Sequence, residues 1–461
     1  LIDPGMGYRN LLKCIASVRP EFLIGVPKAC FFRLLFPKPF TSLRKTLCCG
    51  PSLGLFGPDI RKHAAGTNKS LRTVDSSARD LAAIIFTTGS TGPPKGVRYE
   101  HQVFHAQLQL IGDIYGVGAE DMDQPAFPLF GLFAAALGAA AVIPDMDSTR
   151  PAQVDPERFI RSLNLHGVSY SFGSPALWNV VSHYCLERGI ILDSLRLVLM
   201  AGAPVSGELI ERMQQILPAS AKIHTPYGAT ESLPVASIEG REIVAETWPL
   251  TRQGKGTCVG RALPGIQIRI IPFSDDVIKE WDKDRCLGVG EIGEIVIRGP
   301  VVTRAYEGNP KENALSKIKD HDAFWHRMGD LGYFDDRGRL WFCGRRAHRV
   351  TTHDATLFSV PCEAIINEHP QVFRSALVGI PYSESSQFQH PVLIVETAKD
   401  AIFDQDQLLR EVRELAAASD LTRAIEDFLI HPDFPVDIRH NAKIFREKLA
   451  VWAHGRLKDR A

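Results

Sequence analysis

Residues 81–97 read LAAIIFTTGSTGPPKGV, and this stretch decides the interpretation of the whole chain. Its apolar half, 81–86, is typical of a buried strand, and it runs into residues 87–97 with four hydroxyl side chains and three glycines. Glycines let the backbone curl around an anion, so that N–H groups and hydroxyls donate to its oxygens while Lys95 adds a positive charge. The loop is not of the GxxxxGK[ST] type, because Gly96 follows the lysine. The stretch predicts a phosphate-binding loop, rather than an ordinary surface loop, with the candidate ligands Thr87, Thr88, Gly89, Ser90, Thr91, Gly92 and Lys95.

The bulk composition narrows the class of protein. A chain of 461 residues is too long for one compact core, so we expect two or more domains. Lys plus Arg equals Asp plus Glu at 53 each, which gives no indication of nucleic-acid binding or of an anionic membrane surface as partner. The nine cysteines include no CxxC pair, and we therefore expect reduced thiols and a cytoplasmic location rather than a disulfide framework or a zinc site.

Two segments of the chain, its longest apolar run and its first residues, lead to separate expectations. The longest apolar run, 129–143, stands between two prolines and is shorter than the roughly 18 residues that suggest a spanning helix. We expect it to be a buried helix rich in alanine. The chain opens with LIDPGMG and no initiator methionine, and we expect that an N-terminal portion precedes it.

Strands alternate with helical patterns over most of the chain. Residues 168–175 (VSYSFGSP) and 195–204 (LRLVLMAGAP) repeat the arrangement of a β-rich run, a turn of small residues and proline, and a helix. This alternation predicts βαβ units and a mainly parallel sheet. Residues 266–272, 290–300 and 338–345 are β-rich runs separated by glycines, which favours antiparallel pairing.

The fold class predicted from this order is α/β. We expect a large N-terminal domain over residues 1–346, with parallel or mixed sheets, helices and an antiparallel β subdomain at about 254–346. The remaining residues, 347–461, show helix, strand, strand and helix in turn, which predicts a small α+β domain.

Three further motifs follow the phosphate loop. Residues 201–204 read AGAP, residues 227–231 read YGATE, and a Gly-Asp pair at 329–330 is followed by GYFDDRGRLWFCGR, which ends at Arg345. Each is common by itself, but all of them in this order resemble the adenylate-forming superfamily of acyl-CoA synthetases, firefly luciferase and peptide-synthetase adenylation domains. The resemblance implies a ligase that uses ATP and Mg2+ to convert a carboxylate into an acyl-AMP, with release of pyrophosphate.

The resemblance also implies roles for individual residues. Tyr227 would pack on adenine, Thr230 would touch the α-phosphate, and Glu231 would hold Mg2+, as suits a hard cation that prefers oxygen ligands. Asp330 would accept the ribose hydroxyls, with Arg345 beside ribose and phosphate. Beside the phosphate loop, the implied ATP-binding residues are Gly202, Ala203, Pro204, Tyr227, Gly228, Asp330 and Arg345.

The last motif of the superfamily is altered here. Residues 435–444 read PVDIRHNAKI where relatives carry a proline-rich loop that ends in Gly-Lys-Ile, so that Ala442 replaces the glycine. The resemblance implies that Lys443 enters the site on a mobile C-terminal domain and offsets charge as the adenylate forms. From the residues alone, an exposed lysine before a terminal helix capped by Asn441 stays open.

Two other stretches bear on the substrate. Phe127, Phe130 and Phe133 lie in residues 127–133, FPLFGLF, where relatives place an aromatic lip of the acyl pocket, although such residues also belong to cores. Residues 350–363 read VTTHDATLFSVPCE and lack the glycine that lets a pantetheine thiol approach the backbone in CoA ligases. We therefore expect the chain to be poorly built for thioester formation.

This departure, with the sequences at 3–7 and 439–452, resembles the β-lactone synthetase branch of bacterial long-chain olefin biosynthesis. The branch implies a long-chain 2-alkyl-3-hydroxy fatty acid as substrate, whose own hydroxyl closes the lactone. It implies as pathway partners a thiolase-like condensing enzyme, a reductase and an α/β-hydrolase-like decarboxylase. The alternatives are a fatty acyl-CoA or acyl-AMP ligase, and a binding protein that kept the fold without catalysis.

Overall fold

The computed structural model describes residues 2, 6–52, 54, 56–64, 73–87, 94–383, 386–398, 403–436 and 444–458. The helices are α1 (Tyr8–Val18), α2 (Pro27–Leu35), α3 (Ile60–Ala64), α4 (His101–Tyr115), α5 (Gly131–Ala136), α6 (Pro156–His166), α7 (Pro175–Arg188), α8 (Gly207–Ile216), α9 (Gly240–Glu242), α10 (Trp248–Leu250), α11 (Pro310–Ser316), α12 (Ser359–Ile366), α13 (Gln405–Ala417) and α14 (Arg446–Lys458). No helix in the described part of the chain is both long enough and apolar enough to cross a bilayer.

The strands are β1 (Phe22–Gly25), β2 (Lys45–Cys48), β3 (Leu81–Thr87), β4 (Lys95–Glu100), β5 (Met122–Asp123), β6 (Ala140–Ala141), β7 (Tyr170–Gly173), β8 (Leu197–Met200), β9 (Lys222–Ala229), β10 (Ser232–Glu239), β11 (Thr257–Ala262), β12 (Gln267–Ile271), β13 (Gly293–Arg298), β14 (Lys317–Asp320), β15 (Ala323–Phe334), β16 (Leu340–Arg345), β17 (Val350–Thr351), β18 (Thr356–Leu357), β19 (Val372–Pro381), β20 (Gln389–Thr397) and β21 (Asp427–Ile430).

One large mixed sheet carries most of these strands. Its order is β12-β13-β15-β16-β11-β10-β9-β8-β7-β5-β6, with β14 beside β15. The pairs from β6 to β9 are parallel, and the pairs from β9 to β12 are antiparallel. The α/β fold class is confirmed, and the antiparallel strands predicted for 254–346 continue the parallel sheet through β10.

Helices cover both faces of the parallel strands. Leu197 and Leu199 of β8 pack with residues of α4 and α5, whereas Val198 and Met200 pack with residues of α6, α7 and α8. Because successive side chains of a strand point to opposite faces, a strand between two helical layers must be apolar throughout. This is why β8, which reads LVLM, carries no polar alternation.

The described chain divides into two compact units, which are Leu1–Phe104 with Thr303–Asn313, and His105–Val302 with Ala314–Ala461. In the first unit, β1 pairs with β2 in parallel and β3 pairs with β4 antiparallel. The predicted domain boundary at residues 346 and 347 lies inside the second unit, and that division stays a prediction. Residues 347–461 form an α+β arrangement in which β19, β20 and β21 make one sheet between α12 and α13 on one side and α14 on the other.

Two local predictions were wrong. The apolar run at 129–143 is not one buried helix: α5 covers six residues, Leu132 is 65% exposed, and the run ends in the short strand β6. Gly138, at a positive φ of 85°, breaks the helix. Strand β3 is also not buried, because it pairs only with β4 among the described residues and its side chains are half-buried or exposed.

Candidate active site

The YGATE motif forms a hairpin at the point where the large sheet changes from parallel to antiparallel pairing. Tyr227 and Gly228 belong to β9, and Thr230 and Glu231 connect it to β10. A Cβ at Gly228 would lie 2.6 Å from the carbonyl oxygen of Ser232, so only glycine fits at this position. The tight hairpin therefore fixes the positions from which the threonine and the glutamate project.

The hairpin is joined to the antiparallel strands through a buried carboxylate. The hydroxyl of Tyr227 donates a hydrogen bond to Oδ2 of Asp330 at 2.5 Å. Nη1 of Arg345 lies 3.0 Å from Oδ1 of the same residue, because Asp330 on β15 and Arg345 on β16 are directly paired. The structure thus brings together three of the residues that sequence analysis predicted for ATP binding.

Burial controls the electrostatics of this cluster. It raises the pKa of the Asp330 carboxyl above its ordinary value, while the charge of Arg345 and the hydrogen bond from Tyr227 act in the opposite direction. The charge of Glu231 adds to the increase in that pKa, so the two carboxylates are within electrostatic reach of each other. Burial also raises the pKa of Tyr227, and its hydroxyl remains a donor.

The cluster has the donors and acceptors that a nucleotide needs. Oδ1 of Asp330 is buried and accepts no well-aligned hydrogen bond from any described residue, although Arg345 is within ion-pair distance. A ribose hydroxyl could supply the missing donor. The described residues contain no group of three or more His, Cys, Asp or Glu side chains that could hold a metal ion, and the assignment of Mg2+ to Glu231 stays a prediction.

The predicted turn after β8 has the expected form. Gly202 has a positive φ of 97°, a conformation that glycine adopts without strain. Ala203 is half-buried and Pro204 is exposed, and α8 begins at Gly207 with a cap from Ser206, whose side chain accepts from Leu209 N. The turn therefore consists of backbone and small side chains. This is compatible with the prediction that it packs against the flat adenine ring.

The described part of the phosphate loop consists of its two ends. Thr87 and Lys95 face each other across the β3–β4 pair. The ammonium group of Lys95 forms an ion pair with Glu312 and lies 5.6 Å from the centre of the Tyr306 ring. A phosphate would therefore compete with Glu312 for this lysine. Thr88, Gly89, Ser90, Thr91, Gly92 and the catalytic candidate Lys443 lie outside the described residues.

The three predicted pocket residues form one aromatic cluster. The ring centres of Phe127 and Phe130 are 5.8 Å apart, and those of Phe130 and Phe133 are also 5.8 Å apart. Phe130 stacks on Phe172 of β7 at 4.1 Å. All four rings are half-buried, which suits the wall of an apolar pocket better than a closed core.

Two residues beside the predicted ones were not predicted from the sequence. Phe172 lies in VSYSFGSP and pairs with Leu199 of β8. Because paired residues of neighbouring strands share a face of the sheet, this pairing would have indicated that Phe172 lies on the face of the aromatic cluster. His348 lies one turn after Arg345, and its electrostatic interaction with Asp330 is the smallest of the contributions that lower the pKa of that carboxyl against the stronger effect of burial. No sequence motif marks this histidine.

Known proteins resemble the chain over its whole length. The olefin beta-lactone synthetase of Stenotrophomonas maltophilia is 43% identical over 467 residues, which cover 100% of this chain and 83% of that protein. The olefin beta-lactone synthetase of Xanthomonas campestris pv. campestris is also 43% identical, over 98% of this chain and 81% of that protein. Both alignments include the C-terminal segment.

Solved structures share the fold at lower identity. The amide bond synthetase McbA from Marinactinospora thermotolerans superimposes with a TM-score of 0.76 at 23% identity, over 97% of this chain and 83% of that chain. ATP-bound MatB from Rhodopseudomonas palustris gives a TM-score of 0.72 at 21% identity, over 96% and 81%. The family described as AMP-binding enzyme matches residues 52–307, more than half of the 461 residues. The chain therefore belongs to the AMP-binding enzyme family and is an adenylate-forming ligase.

Proposed function

We propose that the protein converts a long-chain 2-alkyl-3-hydroxy fatty acid into a β-lactone at the expense of ATP. In the first half-reaction a carboxylate oxygen attacks the α-phosphorus, the bond to the leaving pyrophosphate breaks, and an acyl-AMP forms. In the second, the β-hydroxyl oxygen attacks the acyl carbon, the hydroxyl proton is lost, and AMP leaves. The observation that carries the proposal is the Tyr227–Asp330–Arg345 cluster beside Glu231, in a chain 43% identical to olefin beta-lactone synthetases.

Several residues support the first half-reaction. The buried Asp330 accepts from Tyr227 and keeps an oxygen for a ribose hydroxyl, which would fix the nucleotide in one orientation. Arg345 is about half-exposed beside this carboxylate and would reach toward ribose and phosphate. Mg2+ held by Glu231 and phosphate oxygens would supply charge stabilisation. Lys443 would offset the negative charge that develops between the carboxylate and the α-phosphate.

The segment at 350–363 supports an internal nucleophile. Residues 350–357 form the antiparallel pair of β17 and β18, whose turn is closed by hydrogen bonds to and from Thr352. No glycine occurs between Gly344 and Gly379, so no position in this segment would give a pantetheine arm the close passage along the backbone that glycine allows. Glu363 is buried and accepts hydrogen bonds from Arg446. A hydroxyl that is already part of the substrate needs no such passage.

The Phe127–Phe130–Phe133 cluster would take the alkyl chain of the acid, since its half-buried rings offer apolar area to a ligand. A cytoplasmic location and the pathway partners named above belong to the same proposal, because the substrate's hydroxyl and branch imply a condensing enzyme and a reductase upstream. The product is strained, so a decarboxylase that consumes it is expected downstream.

The test is an assay with ATP, Mg2+ and a 2-alkyl-3-hydroxy acid, with and without CoA, in which the product is identified by NMR. We expect a β-lactone, AMP and pyrophosphate, unchanged by CoA. The 3-deoxy analogue should stop at the acyl-AMP. Efficient formation of acyl-CoA from a plain fatty acid would instead identify a CoA ligase, and no ATP–pyrophosphate exchange with any acid would identify a binding protein.

A further inference from the structure

We propose that Glu312 is a positioning residue of the first half-reaction: it holds the ammonium group of Lys95 while no nucleotide is bound, releases it to the phosphates of ATP, and takes it back as pyrophosphate leaves. The carboxylate thereby lowers the affinity for ATP and for pyrophosphate. The inference rests on the ATP-dependent half-reaction proposed above. It assigns a role to a residue that lies outside the phosphate loop.

A short extended segment at 305–307 brings Glu312 to the lysine. It runs antiparallel to β4, since Val97 and Tyr306 form a bridge. Backbone hydrogen bonds of 2.7 and 3.0 Å lie on either side of this bridge. Helix α11 begins three residues after the segment, at Pro310, and Glu312 is in its first turn. The segment therefore extends the β3–β4 pair and leads the chain directly into the helix.

Hydrogen bonds fix α11 to that segment. The side-chain oxygen of Asn313 accepts from the amide of Tyr306 at 2.7 Å, and its side-chain nitrogen donates to the carbonyl of the same residue at 3.2 Å. The first turn of α11 is also held, because the side chain of Asn309 accepts from the amide of Glu312 at 3.1 Å. The backbone that carries Glu312 is thus held by bonds in which its carboxylate takes no part.

Two groups of this frame contact Lys95. Its ammonium group forms an ion pair with the Glu312 carboxylate and lies 5.6 Å from the centre of the Tyr306 ring. The charged side chains are 29% and 21% exposed, so water screens this pair less than it screens an ion pair on the open surface. Release of the lysine therefore costs free energy, which a ligand has to supply.

The lysine is also the predicted phosphate ligand. Thr87 and Lys95, the described ends of the phosphate loop, are paired across β3 and β4. A polyphosphate that binds Lys95 takes the place of Glu312 and stays near that carboxylate, whose like charge repels it. Since Lys95 is available for only a fraction of the time, the apparent affinity for ATP is lowered by that fraction.

The same competition acts on the leaving group. Once the bond to the α-phosphorus has broken, pyrophosphate is held by the lysine, and Glu312 offers that lysine another partner. A group that binds the free lysine better than the occupied one shifts the equilibrium toward the free state. Return of Lys95 to Glu312 therefore favours the departure of pyrophosphate over its reaction with the acyl-AMP.

The neighbouring ion pair of Arg98 and Glu307 is a matched control. It joins the same strand β4 to the same segment 305–307, and its side chains are 39% and 29% exposed. Because side chains alternate along a strand, Arg98 projects to the face opposite Lys95. Glu307 therefore carries the same charge on the same frame without competing for the lysine.

The experiment is calorimetric titration of MgATP and of inorganic pyrophosphate into the wild type, Glu312→Gln and Glu307→Gln, together with ATP–pyrophosphate exchange. Glutamine keeps the size of the side chain and removes the competing charge. Glu312→Gln should bind both ligands about three- to tenfold more tightly, and KM for ATP in the exchange should fall by the same factor. In a Lys95→Ala background the same change should have less than about half of this effect on the binding free energy. Glu307→Gln should stay within about twofold of the wild type.

The outcomes separate the inference from the proposed function. If the wild type binds MgATP but no acid supports exchange, the proposed function fails, and the two titrations still test Glu312. Unchanged or weaker binding by Glu312→Gln would overturn the inference, because the carboxylate would then orient the lysine or only stabilise the fold. An equal gain in Glu307→Gln, or an undiminished gain in the Lys95→Ala background, would also overturn it, since the effect would then follow net charge.

Discussion

Tyr227 and Asp330, which are 103 residues apart in the chain, meet through a hydrogen bond of 2.5 Å that joins the YGATE hairpin to strand β15. The acceptor is almost fully buried, and it also faces Arg345. A bond of this kind orients a carboxylate as well as stabilising it, because one oxygen is occupied and the other is left for a ligand. The tyrosine thus has a polar function in addition to the aromatic packing predicted for it.

Removal of the Tyr227 hydroxyl should separate its polar function from its aromatic packing. Tyr227→Phe keeps the ring but leaves Oδ2 of the buried Asp330 without its donor, a loss of about 1–3 kcal/mol in folding free energy. KM for ATP should rise several-fold, since the carboxylate is no longer oriented toward ribose. Tyr333→Phe is the matched control, because that hydroxyl donates to the carbonyl of Lys255 at 2.9 Å on the surface. An equal rise in KM for ATP in Tyr227→Phe and Tyr333→Phe would contradict the role assigned to the Tyr227 hydroxyl.

A second buried carboxylate should make stability depend on pH. Burial raises the pKa of Asp123 to about 7, against a weaker opposing hydrogen bond from Tyr170. Between about pH 4 and pH 7 the folded state then binds a proton that the unfolded state has lost, so the free energy of unfolding falls as pH rises through this window. The contribution is on the order of 4 kcal/mol, at 1.36 kcal/mol per pKa unit.

Asp123→Asn removes this titration. The variant should therefore be more stable than the wild type at pH 8, and the difference should shrink toward pH 4. Denaturant unfolding at several pH values measures it. Asp145→Asn changes a carboxylate that is 90% exposed and should leave the pH profile as it is. A parallel pH dependence in wild type and Asp123→Asn would show that this carboxyl is ionised in the folded state.

Lys443 should act in the transition state. Lys443→Ala is expected to lower ATP–pyrophosphate exchange by about 10²–10³-fold, because the ammonium group opposes charge that develops only as the acyl-AMP forms. Binding of ATP, measured by calorimetry, should change little. Lys448→Ala, five residues further along and placed over the ring of Phe445, provides the control. Unchanged pyrophosphate release by the Lys443 variant would rule out its catalytic role.

The fold could be predicted because it depends on local patterns, and the same patterns pointed to the residues of the candidate site, whose roles stay predictions. The motif at 227–231 and the strand with Asp330 were each recognisable from the residues, and the structure brings them together at the parallel-to-antiparallel junction. The contacts of His348 could not be predicted, since its partner Glu447 is distant in sequence and neither lies in a shared motif. The prediction of one buried helix over 129–143 was wrong because a glycine within this run ends the helix early.

Glu231 should matter through Mg2+ rather than through stability. It is half-buried at the tip of the hairpin, where a carboxylate adds little to the core but can ligate a cation that bridges phosphate oxygens. Glu231→Gln should raise the Mg2+ concentration needed for half-maximal exchange about tenfold or more, with an unchanged melting temperature. Glu239→Gln, at the far end of the same hairpin strand, is the control. Full activity of the Glu231 variant at low Mg2+ would contradict the metal assignment.

The last prediction concerns the acyl pocket and rests on the stack of Phe130 and Phe172. Their ring centres are 4.1 Å apart, and both rings keep part of their surface exposed. Phe130→Ala removes one wall of the aromatic cluster, so a long alkyl chain loses apolar contact at about 25 cal/mol for each Å² that is no longer buried. We expect KM for a long-chain acid to rise on the order of tenfold and KM for a short-chain acid to change much less, while KM for ATP stays constant. Phe159→Ala is the comparison, because that ring packs against Trp178 in the closed core and its loss should lower the melting temperature without selecting between chain lengths. If KM rises equally for acids of all chain lengths in the Phe130 variant, this ring belongs to the core and the aromatic cluster is not part of the substrate pocket.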